Sequence, residues 1–584
     1  MNRGHSSLNP NLHPMSKRSL RSLPALLVAL PLVACILYPL AALLLEGLNA
    51  PVADFRAQLH GWDPKAQPAA AALRALWREP PVRQAAWGTF KLAVLTVLAG
   101  GAWGLGLALL WWRREFPARR IFALLGYAPV LLPPLVGTLA FARLLGESGM
   151  LNRMLPSAGG KPFVSPIAGV LILHTYSFGI YTYAFAAAAL EHLDHAHEEA
   201  VRNLGGGTWA VFWHAVRPAL QGPLAAAALL TFMAAGASFS GPYLLDTRGQ
   251  YLTVEIVNEL SSSDPAYVAA LTLLLAVLSL AALPPFLWVQ RQGAGLSFGT
   301  QGLKGGGGRA LPRAGAGEAA VRIALSLCAA LLLLLPPLMI AQGAFADPQG
   351  WYTGAWPQTL NLDAFHRLDS DAWAALRRSL RYGVLAAGID VCAALLVALA
   401  LRRAPAWAGL PAESSVMLAV ALPGSAVANA LLTAFNAPSW LTAGQPLGQT
   451  ATILVLAYAV RCLPLAVRPV RAALEGLGGD LEAAARGLGA GPLRTLACVI
   501  LPLLIPTLLA AGLLCFVTSA GEFVASKLLF SIPSMPVSVK MDEVLRNDPP
   551  AATALGLCLM GLGAAAVGLA GWLQARASWR ARRS

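Results

Sequence analysis

Long apolar segments, each of roughly the twenty residues a helix needs to cross a hydrocarbon layer, recur from one end of this chain to the other. Backbone in lipid must satisfy its own hydrogen bonds, so segments of that length and composition fold as membrane-spanning helices. About twelve meet the criterion: residues 23–46, 87–112, 121–143, 165–190, 219–245 and 266–290, then 320–342, 380–401, 413–435, 449–470, 503–528 and 551–574. Of 584 residues, 57% are hydrophobic and 12% charged, where a soluble domain carries roughly 25% charge. The expectation is an all-α integral membrane protein with scarcely any chain left for a soluble domain.

The net charge of +15 is distributed rather than gathered. Arg3, Lys17, Arg18 and Arg21 precede the first span, Arg113, Arg114, Arg119 and Arg120 flank one short connection, and Arg576, Arg580, Arg582 and Arg583 close the sequence. No basic patch with interleaved aromatics is formed, which argues against nucleic acid as a partner and leaves membrane lipid. By the positive-inside rule these segments, both termini included, face the cytoplasm. A connection on the other side is mainly acidic, with Asp347, Asp363, Asp369 and Asp371 around Arg367.

Seven cysteines, Cys35, Cys328, Cys392, Cys462, Cys498, Cys515 and Cys558, fall in or beside apolar segments without metal-type spacing and read as small buried hydrophobes. The stretch from Leu23 to Leu45 is too long for a signal-peptide core and is expected to be a retained span. Residues 293–317, with four consecutive glycines from Gly305 to Gly308, cannot build a core and read as a flexible cytoplasmic linker. The chain thus divides into residues 1–292, the linker 293–317 and residues 318–584, with six spans on each side.

The two sides are copies. Lys91 and Arg381, Arg113 and Arg403, and Pro133 and Pro423 are each separated by 290 positions, while Gly205 and Gly489 are separated by 284. One net deletion of about six residues in the second copy reconciles the offsets. An even number of spans per copy gives both the same orientation, so the repeat is parallel.

Each copy carries one polar pattern between its fourth and fifth spans. Glu198-Glu199-Ala200-Val201-Arg202-Asn203-Leu204-Gly205, with Pro218 thirteen positions on, returns as Glu482-Ala483-Ala484-Ala485-Arg486-Gly487-Leu488-Gly489 and Pro502. Alanines favour a helix, glycine breaks it and allows a left-handed turn, and proline suits the first turn of the helix that re-enters the membrane. The loops, residues 191–218 and 471–502, are therefore expected to lay two short helices on the cytoplasmic face, where they would fit a groove on a partner.

The pattern resembles the EAA motif of permease subunits in type I binding-protein-dependent ABC importers, which runs Glu-Ala-Ala, three residues, Gly, nine residues, Ile, one residue, Leu, Pro. Glu199-Ala200-Val201, Gly205, Ala215, Arg217 and Pro218 match its glycine and proline spacing without the Ile and Leu. Ala483-Ala484-Ala485, Gly489, Val499, Leu501 and Pro502 match in the second copy, the acid standing one place earlier at Glu482. The resemblance covers nearly the whole chain and is similar to the fused permeases for ferric iron and thiamine. It implies that Glu198, Glu199, Ala200, Gly205, Pro218, Glu482, Ala483, Ala484, Gly489 and Pro502 couple the chain to two cytoplasmic ATPase subunits. It also implies an extracytoplasmic binding protein as the source of substrate and a bacterial inner membrane as the location. Ferric iron is the first expectation for the substrate, ahead of thiamine, polyamines and phosphonates.

No Gly-x-x-x-x-Gly-Lys-Ser/Thr phosphate loop occurs in the sequence, so the chain is not expected to hydrolyse ATP or bind a cofactor; ATP belongs to its partners. His192, His195 and His197 beside Asp194 read as a solvated helix end rather than a metal site. Ionisable groups inside spans mark pathways by default, which makes Asp390, Glu522 and His174 the candidate pathway residues, with Glu522 and Lys527 close enough in sequence to pair at the membrane boundary. An ion-coupled secondary transporter would share the duplication but not the paired loops. A haem enzyme would need histidines paired across spans.

Overall fold

The computed structural model describes residues 37–45, 76–147, 149–155, 162–191, 193, 195–259, 265–285, 288, 313–346, 361–403, 422–436, 444–448, 450–477 and 480–581. The linker 293–312, His192, Asp194, Cys35 and most of the first span lie outside them. Among the described residues the secondary structure is helical, apart from an isolated bridge between Glu115 and Arg313.

In the first half the helices are α1 (Pro80–Trp111), α2 (Arg119–Leu125), α3 (Pro134–Leu145), α4 (Pro166–Glu191), α5 (His195–Asn203), α6 (Thr208–Gly236), α7 (Ser240–Leu245), α8 (Leu252–Glu259) and α9 (Pro265–Leu280). Then come α10 (Ala316–Phe345), α11 (Ser370–Arg403), α12 (Gly424–Phe435), α13 (Ala451–Gly476), α14 (Asp480–Gly487), α15 (Pro492–Ala520), α16 (Val524–Leu529), α17 (Val537–Asn547) and α18 (Pro549–Ala581). Nine helices among the described residues are long and apolar enough to cross a membrane, and they coincide with nine of the twelve expected spans. The third span is not one helix: α2, a 3-10 turn at Ala128–Leu131 and α3 follow one another, because Pro129, Pro133 and Pro134 each lack the N–H an unbroken ladder needs. Its counterpart keeps Pro423 and the short α12. Of the first span, only residues 37–45 are described, and they are helical.

The sequence copies are structural copies. Helices α1 and α11 begin 290 positions apart, α3 and α12 likewise, whereas α4 and α13 begin 285 apart and α6 and α15 begin 284 apart. Most of the deletion therefore falls between the third and fourth spans, where residues 146–165 connect the helices in one half and residues 436–450 in the other.

Within each half three helices form the core, α1 with α4 and α6, and α11 with α13 and α15. The halves also exchange helices. α10 packs on α3 as well as α18; Trp111 donates to Ser326 Oγ at 2.8 Å, Tyr176 to the Leu333 carbonyl at 3.0 Å and Arg322 to the Leu110 carbonyl at 2.6 Å. Reciprocally, residues 37–45 reach the second half, where the Tyr38 and Phe435 rings are 5.9 Å apart and Leu43 packs on Ala430. The core of the first half is consequently completed by residues of α10, α11 and α18.

The cysteine expectation holds for Cys462 and Cys515, which are buried, and fails for Cys328, Cys392 and Cys498, which are exposed on the outside of the bundle. Those positions lie on helix faces turned away from the core, where a small apolar thiol suits a lipid-facing surface.

Candidate coupling loops and translocation axis

Each polar loop is a short helix, a glycine break and a long helix. Gly205 and Gly489 adopt φ +82 and +81, the left-handed region where a side chain would be strained. Gly206 N–H reaches the Val201 carbonyl and Gly205 N–H that of Arg202, both at 2.9 Å. Ala490 to Ala485 and Gly489 to Arg486 repeat the arrangement at 3.0 Å. This closure absorbs the last carbonyls of α5 and α14.

Pro218 and Pro502 stand in the first turn of the α-helical segments Arg217–Gly236 and Leu501–Ala520, as expected, but no break precedes those segments. α6 and α15 each contain a π turn, Phe212–Val216 and Leu496–Ile500, and the prolines follow directly within a continuous helix. A proline inside an α-helix leaves a carbonyl one turn earlier without its donor and presses its ring against it. The wider π turn relieves that crowding, so the loop runs into the membrane as a single rod.

The acids differ from the expected pair. Glu198, not Glu199, stands 284 positions before Glu482, the offset of the glycines, and both are held by an arginine at the end of the second span. Arg113 Nη1 is 2.5 Å from Glu198 Oε1, and Arg402 Nη1 is 2.7 Å from Glu482 Oε1. The described partner in the second half is Arg402. The pairing joins a cation at a helix C-terminus to an anion in the first turn of the next short helix, which suits both dipoles. A second arginine one turn on completes each cluster, at 3.1 Å for Arg202 and 4.0 Å for Arg486. The Glu198 side chain is 4% exposed and that of Glu482 20%, so the first cluster is tighter and drier.

Glu199, Ala200, Gly205, Pro218, Ala483, Ala484, Gly489 and Pro502 lie on the exposed side of these loops. With them stand apolar side chains not anticipated from sequence: Leu204 and Leu488, at 89% and 90% exposure, and Trp209 and Leu493. The common offset of 284 could have found both pairs. Beyond Trp209 the first loop carries a ring stack, with Phe212 and Trp213 centroids 5.7 and 5.8 Å away and Arg217 4.6 Å over Trp213.

Where the halves meet, α6 and α15 end in breaks at residues 237–239 and 521–523. Phe239 and Phe523, again 284 apart, contact each other with centroids 5.6 Å apart, and both are buried. A Cβ on Gly521 would stand 2.7 Å from Pro133 Cβ, which places the second-half break against the kink of the first. The polar residue beside each phenylalanine reaches into its own half. Ser238 Oγ is 2.9 Å from His174 Nε2, whose Nδ1 is 3.3 Å from Thr96 Oγ1. Glu522 forms an ion pair with Arg461 and accepts the Ala525 N–H at 3.1 Å.

His174 and Glu522 are therefore at the breaks, whereas Asp390 is buried in the second-half core beside Cys462 and Cys515. Lys527 does not pair with Glu522; it holds Asp542 at 2.7 Å, because α16 turns its side chain toward α17. Among the described residues no group of three or more His, Cys, Asp or Glu is placed to hold a metal.

At the end of the bundle away from the loops, Arg367 Nε donates to Asp548 Oδ2 at 2.7 Å. Burial opposes the charged Asp548 carboxylate, but the Arg367 hydrogen bond, the Ala551 N–H and the Arg367 charge outweigh it and hold the group below the ordinary carboxylate range.

The described arrangement, two helical copies each with a glycine-broken loop, is matched at the level of sequence families. Residues 100–285 and 391–579 each match the family described as binding-protein-dependent transport system inner membrane component. The chain belongs to that family. Its relatives share most of the length at modest identity. A probable ABC transporter permease protein, y4fN of Sinorhizobium fredii, is 26% identical over 82% of this chain and 85% of its own. The thiamine transport system permease protein ThiP of Escherichia coli is 28% identical over 78% and 84%. The putative ferric transport system permease protein FbpB 1 of Haemophilus influenzae is 26% identical over 69% of this chain and 63% of its own length. The protein is a multi-pass ABC transporter permease whose two family units are fused, with an all-α type I permease fold.

Proposed function

We propose that this permease forms the translocation pathway of an ATP-driven importer, in a bacterial inner membrane with both termini cytoplasmic. Two ATPase subunits dock on the loops around Glu198–Pro218 and Glu482–Pro502, and an extracytoplasmic binding protein delivers the substrate at the other end. One observation carries the reading: the same exposed leucine beside the same left-handed glycine and the same arginine-anchored acid occurs twice on one end of the bundle. An apolar knob on a rigidly held helix end suits a groove in a partner. Closure of the ATPases would push the continuous α6 and α15 rods, whose far ends carry the Phe239–Phe523 contact, and so part the halves. The chain itself does coupling and no bond chemistry, and ATP is bound only by its partners.

Ferric iron is the substrate proposed first, in keeping with the fused architecture; thiamine, polyamines and phosphonates follow. Purification from native membrane decides the importer class: an ATPase is expected to accompany the wild-type chain and to be lost with Glu199→Arg or Gly489→Trp while the protein still inserts. Normal uptake by both variants, or uptake driven by an ion gradient without any ATPase, would sink the reading.

A further inference from the structure

The polar layer beside the two phenylalanines is unlike in the two halves, and the second half alone builds a cradle for negative charge. α12 starts without a side-chain cap: Pro423 precedes it, and its first backbone bond is donated by Val427 to the Pro423 carbonyl at 3.1 Å. The N–H groups of Gly424, Ser425 and Ala426 precede that bond, at the positive end of a twelve-residue helix. All three residues are buried. Ser425 is 0% exposed and among the described residues its Oγ has no hydrogen-bond partner, an arrangement that costs free energy unless something else completes it.

The Arg461 guanidinium lies against this helix start. A Cβ on Gly424 would stand 2.6 Å from Arg461 Nη1 and 2.8 Å from Cζ, so a side chain there would displace the guanidinium. Nη1 is ion-paired with Glu522 yet makes no aligned hydrogen bond. Glu522 comes from the break that precedes α16, the helix packed on α12, and Tyr181 of the first half is within electrostatic reach of Arg461. In the first half the corresponding positions hold Pro134 for Gly424, Leu135 for Ser425, Tyr176 for Arg461 and Ser238 for Glu522. That copy has no cation at these positions, no hydroxyl at the helix start and one N–H fewer.

We propose that the α12 N-terminus, Ser425 Oγ and the Arg461 guanidinium form an anion subsite beside the axis, for an oxyanion or a carboxylate carried free or as the ligand of a metal complex. Backbone N–H groups, a hydroxyl and a guanidinium are the donors that recognise such a group. The Glu522 carboxylate is its internal competitor, balancing Arg461 until a substrate anion replaces it. As a transport subsite this rests on the importer reading; as an anion site it stands on geometry.

Equilibrium binding of radiolabelled sulfate, phosphate, molybdate and citrate to the purified full chain tests it, in phosphatidylcholine nanodiscs and again in lipid-free detergent, where no headgroup competes. Glu522→Gln is expected to bind at least one of them saturably and about tenfold tighter than wild type, since the competitor is gone. Adding Ser425→Ala to it weakens binding by roughly three- to tenfold. Arg461→Gln together with Glu522→Gln, which leaves no buried charge unpaired, abolishes binding with the melting temperature retained. If Glu522→Gln binds none of the four, or the double variant binds as well as Glu522→Gln, the subsite is wrong; should the double variant fail to fold, the Ser425→Ala comparison decides alone. Anion binding without a co-purifying ATPase would leave the subsite standing and overturn the importer; an ATPase without anion binding does the reverse.

Discussion

At the loops the two halves agree residue for residue in what they do, and at the axis they do not. Glu198 and Glu482, Gly205 and Gly489, and Leu204 and Leu488 occupy the same places with the same backbone geometry. Beside Phe239 and Phe523 the first half offers His174 and Ser238, partners in a hydrogen-bonded chain, and the second offers the Arg461–Glu522 ion pair. In the importer proposed above, the copies stay alike where both would meet copies of the same partner. They drift apart where a single, asymmetric object would pass between them. The first surface needs a repeated shape, the second needs one particular set of charges.

Substitutions that hit both copies separately can break this comparison. The largest effect is expected at the aromatic contact: Phe239→Ala and Phe523→Ala should each cost about 3–5 kcal/mol, the usual range for a buried phenylalanine, and lower the melting temperature alike. A clear inequality would show that the axis is asymmetric in its packing as well as its charge. Next come the acids. Glu198→Ala removes a buried anion from two partly exposed arginines and should cost about 2 kcal/mol, whereas Glu482→Ala, a more exposed acid, should cost about 1 kcal/mol; equal losses of stability and ATPase association would refute the difference in burial. Gly205→Ala and Gly489→Ala should then match each other at about 1–2 kcal/mol, the cost of a left-handed alanine, measured by thermal melting. The smallest effect belongs to the clasp at the other end. The folded Asp548 carboxyl is held below its unfolded value of about 3.9, so its contribution is complete above that pH and fades as pH falls through the lower folded value. Partial exposure limits the loss to under about 1 kcal/mol, and Asp548→Asn should narrow by that amount the difference between melting curves taken at pH 5 and pH 3, the other ion-paired carboxylates keeping the rest.

The span pattern and the duplication were legible because both are period and length, properties of the chain read alone. Nine spans fell where apolar composition placed them; the third did not stay whole because proline spacing, which hydropathy ignores, decides continuity. The loops were legible as a repeat whose octapeptides set Glu198 opposite Glu482, whereas the motif's own acid position points to Glu199; the arginine contacts follow the repeat. Arg461 was passed over for the opposite reason. It sits in an apolar stretch among Tyr458, Cys462 and Pro464, and its meaning arises only when α12 and the break at Glu522 arrive from distant sequence. Ser425 carries no signal at all until its hydroxyl is seen to lack a partner.

The exchange of helices has a consequence for how the protein comes into being. The first half leaves the ribosome long before α10 and α18, yet its core includes Leu333 and Met339 of one and Leu555 and Leu559 of the other. It must therefore wait in the membrane with an open flank that lipid or a chaperone covers, and it becomes a finished unit only when the last span inserts. Cutting the chain between the halves would leave two pieces that must find each other laterally, each carrying the helix the other lacks.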